Sequence, residues 1–401
     1  MIEALIKIAL LCAGLMTAAA YLVLLERWIA AWVQDRRGPN RVGLPLTRIK
    51  LFGLGQPLAD GLKFIFKEEY TPAHVDKFLY FLAPISILAA ALAIFAVIPF
   101  GSVAPGDWGF FQLDRPVQLV VAPNVDVGMI YIFALSSIAI YGVILGGWAS
   151  NNKYSFLGGL RSSAQLIAYE IPLGLGILGV VLATGSLRLD AVISAQAAGG
   201  VWNVFAQPLG FVVLVTASFA EAARVPFDLP ECEQELIGGY HTEYSGMKLL
   251  MYLIAEFLHM VTAAFLITIL FLGGWHFWGM PAGDEIGWGW AIGRVVLLFT
   301  KVFLVILFFM LVRWSWPRFR FDQLMNLAWK VMLPLGLINL VTVAVLVEYQ
   351  DAIGLRLGAG GRIAAIAVAW IVAIVAWIAA GILAPLHTDN RPRRAALGGV
   401  R

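Results

Sequence analysis

Nine stretches of the sequence run for about 20 residues with almost no charge, near 4–25, 79–99, 127–149, 164–184, 205–222, 249–272, 294–312, 327–347 and 363–384. A helix needs roughly 20 apolar residues to cross the hydrocarbon core of a bilayer, so each run is a candidate span. The reading is an all-α polytopic membrane protein with about nine transmembrane helices. Composition agrees, since 61% of the 401 residues are hydrophobic and only 13% are charged. Soluble domains carry about twice that charge fraction. The mean hydropathy is +0.84.

The net charge of +3 matters less than where the cations fall. Arg27, Arg36, Arg37, Arg41, Arg48, Lys50, Lys63 and Lys67 follow the first run; Lys153 and Arg161 follow the third. Arg313, Arg318 and Arg320 follow the seventh, and Arg391, Arg393 and Arg394 lie in the tail. The alternate connections 100–126 and 273–293 are poor in cations and carry acids. Cytoplasmic loops hold the excess of Lys and Arg, which predicts an N-terminus outside and a C-terminus in the cytoplasm. The first run lacks the n-region and cleavage site of a signal peptide. Cys12 lies inside a span and Cys232 in a cytoplasmic connection, so no structural disulfide is expected. Two thiols and five scattered histidines form no iron–sulfur or zinc pattern, and no phosphate-binding loop is present. Any redox cofactor is therefore expected in another subunit, with no metal and no cofactor held by this chain. The chain reads as one continuous membrane domain without internal repeats, which argues against many secondary transporters.

Polar residues placed against this background carry the functional signal. QPLADGLKFIFKEE (56–69) reads as a short amphipathic helix opened by Pro57, with Leu58, Leu62, Ile65 and Phe66 on one side and Asp60, Lys63 and Lys67 on another. It suits either a helix lying on the headgroups or the wall of a polar chamber. Charge within a span costs about 2.5–3.5 kcal/mol on insertion scales and usually marks an ion or proton path. Glu170, Glu221 and Glu256 lie in or at the end of apolar runs, and Glu26 closes the first. Glu26 beside Arg27 reads equally as an interfacial pair, and Glu170 and Glu256 as interhelical hydrogen-bond partners. Pro172 removes a donor from the turn holding Glu170 and frees the carbonyl of Ala168, which makes a candidate wet site. Glu256 and His259 share a helical face, but one Glu-x-x-His pair without further carboxylates is not a di-iron site. The segment EAARVPFDLPECEQELIGGYHTEYSG (221–246) holds six carboxylates around Arg224. Glu231, Glu233 and Glu235 recur at every second position between Pro230 and Gly238, and read as a shaped acidic rim.

LLERWIAAWVQDRRGPNRVG (24–43), the 56–69 segment, GWASNNKYSFLGGLRSSAQLIAYEIP (147–172), AEAARVPFDLPECEQELIGGYHTEY (220–244) and WPRFRFDQLMNLAWK (316–330) together resemble the H-subunit family of respiratory complex I, the NADH-quinone oxidoreductase. The likeness runs in chain order from residue 1 to about 350. It implies a non-redox component of a proton-translocating enzyme, which helps to form the quinone chamber at the junction of the hydrophilic and membrane arms. On that resemblance Glu26, Arg27, Arg36, Asp60, Lys63 and Arg224 line the quinone site. Glu170, Glu221, Glu231, Glu233, Glu235 and Glu256 carry proton coupling. Arg313, Arg318, Arg320 and Asp322 fall at the interface with the hydrophilic arm. The implied partners are the other complex I subunits, among which flavin and iron–sulfur clusters are expected, together with quinone as substrate and the lipid bilayer; no nucleic acid is expected. The implied location is the bacterial inner membrane. Cys232 and His241 depart from what the motif specifies, and 351–401 reads as an added ninth span with a basic tail. Two other readings remain open: the membrane subunit of an energy-converting hydrogenase or formate hydrogenlyase, and a stand-alone cation/proton transporter. A purely structural anchor would leave Glu170, Glu221 and Glu256 unexplained.

Overall fold

The computed structural model describes residues 2–43, 52–104, 117–229, 233–281, 287–352 and 359–383. The helices in chain order are α1 (Ile2–Val33), α2 (Gln56–Phe66), α3 (Lys77–Ile94), α4 (Gly128–Ala149), α5 (Lys153–Thr184), α6 (Leu189–Gly199) and α7 (Asn203–Ala206). They continue with α8 (Pro208–Glu221), α9 (Glu233–Leu236), α10 (Gly246–Phe271), α11 (Trp288–Ser315), α12 (Phe321–Asn326), α13 (Leu333–Ala352) and α14 (Ala359–Leu383). A two-residue antiparallel ladder, Val103–Ala104 with Val117–Gln118, is the only strand pairing among the described residues.

Eight of these helical segments are long and apolar enough to cross a membrane. The fifth expected span, 205–222, divides into α7 and α8 at Gln207, and the 14 residues of α8 reach only about 21 Å. Pro208 cannot donate to the preceding turn, so the helix restarts there. The backbone groups opened by the break are met by protein, as they must be away from water. Asn339 Oδ1 of α13 accepts from Gly210 N at 3.1 Å and Trp370 Nε1 of α14 donates to Phe205 O at 3.0 Å, while the Gln207 side chain at the break donates from Nε2 to Gly179 O of α5 at 3.2 Å. The stretch from Phe321 to Tyr349 is one span containing a π-helical turn, Leu327–Met332, just before Pro334. The proline ring crowds the carbonyl four residues earlier and widens the helix at that point.

Several helices outlast their apolar runs. α1 continues past Glu26 and Arg27 to Val33, and α5 opens at Lys153, where Asn152 Oδ1 accepts from Tyr154 N at 3.0 Å. Cations expected in connecting loops therefore stand on rigid helix ends. α5 also runs unbroken through Pro172.

α10 is the axis of the bundle. Its most apolar window is 78% buried, against 44% or less for every other candidate span. It packs on α3, α11, α8 and α1, and Phe265 meets Phe95 and Phe100 edge-on at 6.1 and 5.4 Å. Small residues bring α4 and α5 close, since a Cβ on Gly147 would meet the Cα of Gly159 at 3.2 Å.

Candidate functional site

A cavity of about 1740 Å³ opens between the last turns of α1, the linker after it, α2, the loop after α8, the start of α10 and the end of α11. Ligand pockets commonly hold about 300–1,000 Å³, so this one exceeds a small-molecule site. Its lining combines two kinds of chemistry. Met16, Ala20 and Val23 of α1, Phe64 of α2, and Leu250 and Leu253 of α10 are apolar. Arg36, Arg37, Arg41, Arg224, Asp228, Arg313 and Arg318 supply the charged part of the wall. The amphipathicity of α2 explains its placement. Gln56, Pro57, Asp60, Gly61 and Phe64 recur at helical spacing and face the cavity, while Leu58, Leu62, Ile65 and Phe66 are exposed on the other side.

Arg224 organises the charged wall and is only 3% exposed. Its Nη1 lies 3.3 and 3.2 Å from the two carboxylate oxygens of Glu26, and its Nε is 3.1 Å from Glu256 Oε1. The guanidinium sits 4.4 Å from the centre of the Phe257 ring. Arg313, in the last turn of α11, reaches the same Glu26 carboxylate. Ala223, with φ of 48°, turns the chain just after α8 and sends Arg224 back into the bundle. Arg318 Nη2 approaches Asp228 Oδ2 at 3.4 Å. Three arginines thus face three carboxylates, which is how buried ions become tolerable. Burial raises the Asp228 carboxyl to about 6, with Glu256 adding to the rise and Arg313, Arg318 and Arg224 opposing it. Burial lowers the His241 imidazole to about 4, so it is neutral at physiological pH. On the rim Arg27 pairs with Asp60 at 2.8 Å.

Behind this wall lies a second cavity of about 50 Å³, lined by Glu170, Glu221, Glu256, His259, Ser136 and Tyr252 among others. Glu256 lines both cavities. Ser137 donates to Glu170 and Ser136 to Glu221. The volume suffices for one or two waters, each with about 30 Å³ in the liquid, and the lining offers polar partners. Carboxylates from α5, α8 and α10 converge there because the short α8 ends inside the bundle, level with the middle of its neighbours. Among the described residues no group of three His, Cys, Asp or Glu is placed to hold a metal ion.

Residues 6–344 match the family described as NADH dehydrogenase. The H subunit of the NADH-quinone oxidoreductase of Flavobacterium johnsoniae is 44% identical over 357 residues, covering 88% of this chain and 98% of that one. The H subunit numbered 1 of the same enzyme in Geobacter metallireducens is 46% identical over 335 residues, 84% of this chain and 93% of that one. The chain belongs to this family. It is a multi-pass membrane member of the H-subunit line of NADH-quinone oxidoreductases.

Of the residues singled out in the sequence, Glu26, Arg27, Arg36, Asp60, Arg224 and Glu256 line the large cavity; Glu170, Glu221 and Glu256 line the small one. Lys63 is exposed and is not among the lining residues. Glu235 also stands apart, exposed and paired with Arg161 at 2.7 Å. Glu231 and Cys232 lie outside the described residues, and Glu233 opens α9. Residues 233–236 make a helical turn. Arg313 and Arg318, interface residues on the sequence resemblance, line the large cavity, whereas Arg320 and Asp322 pair locally on the surface at 3.4 Å. Sequence reasoning passes over Asp228, Ser136 and Ser137. Asp228 has a signal, since it is the one acid between Pro226 and Pro230, but its partner Arg318 is 90 positions away.

Proposed function

We propose that this chain forms part of a quinone chamber and passes the charge change of quinone reduction to buried carboxylates. The observation that carries this reading is Glu256, shared between the large cavity and the small carboxylate cavity. A lining that holds both apolar and charged residues suits an isoprenoid quinone, with its apolar tail and polar head. Electrons do not pass through the chain: flavin and iron–sulfur clusters belong to partner subunits of the complex, and the hydrophilic ones close the chamber. This chain's residues hold the head group, shield it from bulk water and supply titratable oxygens. Glu26, Arg27, Arg36, Asp60 and Arg224 shape the chamber; Glu256, Glu221 and Glu170 continue the charge path inward. Acids this close titrate as a group, so one added charge is felt by all of them. The protein sits in the bacterial inner membrane with its N-terminus outside and its C-terminus in the cytoplasm. Residues 1–350 form the family core, and 351–401 add a membrane anchor with a basic tail.

Glu221→Gln in the assembled complex tests the path. Proton pumping per electron is expected to fall by more than half, with quinone reduction slowed, while ferricyanide reduction by NADH is unchanged. Wild-type quinone reduction together with wild-type pumping would sink the reading. Asp228 supplies a second test. Because its carboxyl is raised to about 6, it takes up a proton below that pH and loosens its pairing with Arg318. Quinone reduction is expected to show an acid limb near pH 6 that Asp228→Asn abolishes. The sign for stability follows from linkage: a raised carboxyl favours the fold at low pH and loses that contribution as pH rises through about 6. Asp228→Asn is therefore expected to be at least as stable as the parent at pH 7, read as the midpoint of thermal unfolding.

A further inference from the structure

The end of α10 opposite the large cavity is closed by a set of side chains that the chamber does not use. Lys301 of α11 is 7% exposed, and its Nζ donates to three backbone carbonyls, Leu272 O at 2.6 Å, His276 O at 2.8 Å and Gly274 O at 3.0 Å. A neutral amine has two protons to donate and an ammonium has three, so the three acceptors call for the charged form. The ammonium also lies 4.3 Å from the centre of the Trp202 ring, a cation–π contact. Neighbouring carbonyls of α10 are met in the same way. Gln196 Nε2 donates to Ile269 O at 2.9 Å and Asn203 Nδ2 to Leu270 O at 2.8 Å. Arg294, 2% exposed, adds a second buried cation nearby on α11, donating to Pro281 O at 2.5 Å.

Between this plate and the small cavity α10 carries no titratable side chain. Every residue of α10 from Met260 to Phe271 is buried and none is titratable. Sixteen residues separate Glu256 from Leu272, about 24 Å of helix. Around that stretch α11 presents Leu298, Val302, Ile306 and Phe309, all buried.

We propose that Lys301 is a fixed cation sealing the far end of the bundle against protons, so that the carboxylates of this chain exchange protons only from the cavity side or sideways into a partner. The carbonyl seat holds the charge in place, and the C-terminal dipole of α10 favours it there. An entering proton meets a like charge in a medium of low dielectric, and along α10 no titratable group leads past it. The inference rests in one respect on the reading above, that Glu221 and its neighbours carry protons.

The test uses the whole complex in phosphatidylcholine–phosphatidylglycerol vesicles without NADH, following proton entry after an imposed pH step with potassium and valinomycin. Lys301→Met is expected to raise proton permeability about tenfold, the effect of a like charge at roughly 10 Å when the protein dielectric is near 20. Lys301→Gln keeps donors for the carbonyls but not the charge, and is expected to leak as Lys301→Met does. Lys301→Arg should remain tight. A tight Lys301→Met, or a Lys301→Gln that seals like wild type, overturns the proposal. Failure of both neutral variants to assemble, with Lys301→Arg assembling, also overturns it by making the charge a folding requirement. Adding Glu221→Gln to Lys301→Met separates the two readings. Leakage that falls back to the wild-type rate supports both, whereas leakage that persists keeps the seal and overturns the carboxylate path.

Discussion

Arg224→Met is expected to lower quinone reduction at least tenfold and to reduce the amount of assembled complex. The guanidinium is the shared partner of Glu26 and Glu256, from α1 and α10, at 3.1–3.3 Å. Methionine has similar bulk and no charge, so both carboxylates keep their burial while Glu26 is left with Arg313 and Glu256 loses this cation. Breaking a buried pair by removing one partner costs about 3–5 kcal/mol, because the remaining charge is left in a poor solvent. The acids would then bind protons or admit water, and either change alters the charge that the proposed chamber presents. Arg224→Lys separates charge from geometry. A lysine is a point charge without the planar fork that reaches two carboxylates at once, so assembly should recover while turnover stays low. Quinone reductase rate normalised to complex content, measured beside ferricyanide reduction, reads both. Wild-type turnover in Arg224→Met would remove the cluster from the mechanism.

Gly158→Val is expected to be as damaging, although residue 158 touches neither cavity. A Cβ at this position of α5 would lie 2.6 Å from the Cα and carbonyl carbon of Gly239 and 2.7 Å from the amide of Tyr240. These are backbone atoms and cannot rotate aside. The turn they belong to, Gly239–His241, brings Tyr240 to the small cavity and His241 to the large one. Gly239 itself holds φ of 61°, a conformation that glycine adopts readily and that closes the turn against α5. Overpacking of this kind costs about 1–3 kcal/mol even where neighbours can relax, and here the relaxation would move two lining residues. Loss of most quinone reductase activity is the expected result, together with lowered thermal stability. Gly174→Ala in the same helix is the control. Its Cβ would meet nothing within 4 Å, and alanine in a helix interior gains about 0.5–1 kcal/mol over glycine. Equal effects of the two substitutions would show that the damage does not come from the contact with the turn.

The long apolar runs locate the helices well, and the mismatches have physical causes. α1 and α5 extend beyond their hydrophobic stretches because no breaker stands at the charge boundary: the first chain reversal comes at Asp35, with φ of 51°, and α5 is capped only at Asn152. Hydropathy makes 205–222 a span because it averages over Gln207–Pro208, where the helix breaks. α6 is not legible in the sequence, since 11 residues between two apolar runs carry too weak a periodicity to separate from a loop. Among site residues, the acids inside apolar runs stand out by their cost, and those three do share a cavity. The acids in the polar connection carry no such mark. The prolines that flank Asp228 set it apart from Glu235 but name no partner: Glu235 pairs with Arg161 at the surface, while Asp228 is buried against Arg318.

The sequence by itself determined that this is a bundle of membrane helices of the complex I H-subunit family and which carboxylates are costly. A helix in lipid must satisfy its backbone locally, so its existence is written in a contiguous run of residues. Only the tertiary structure decided which charges meet. Glu26 and Arg313 are 287 positions apart and Glu26 and Arg224 are 198 apart, and packing around α10 alone brings them together. Spacing along one helix can place neighbours a turn away, but a buried ion takes whatever partner the fold delivers, since leaving it unpaired costs more than any local preference can repay.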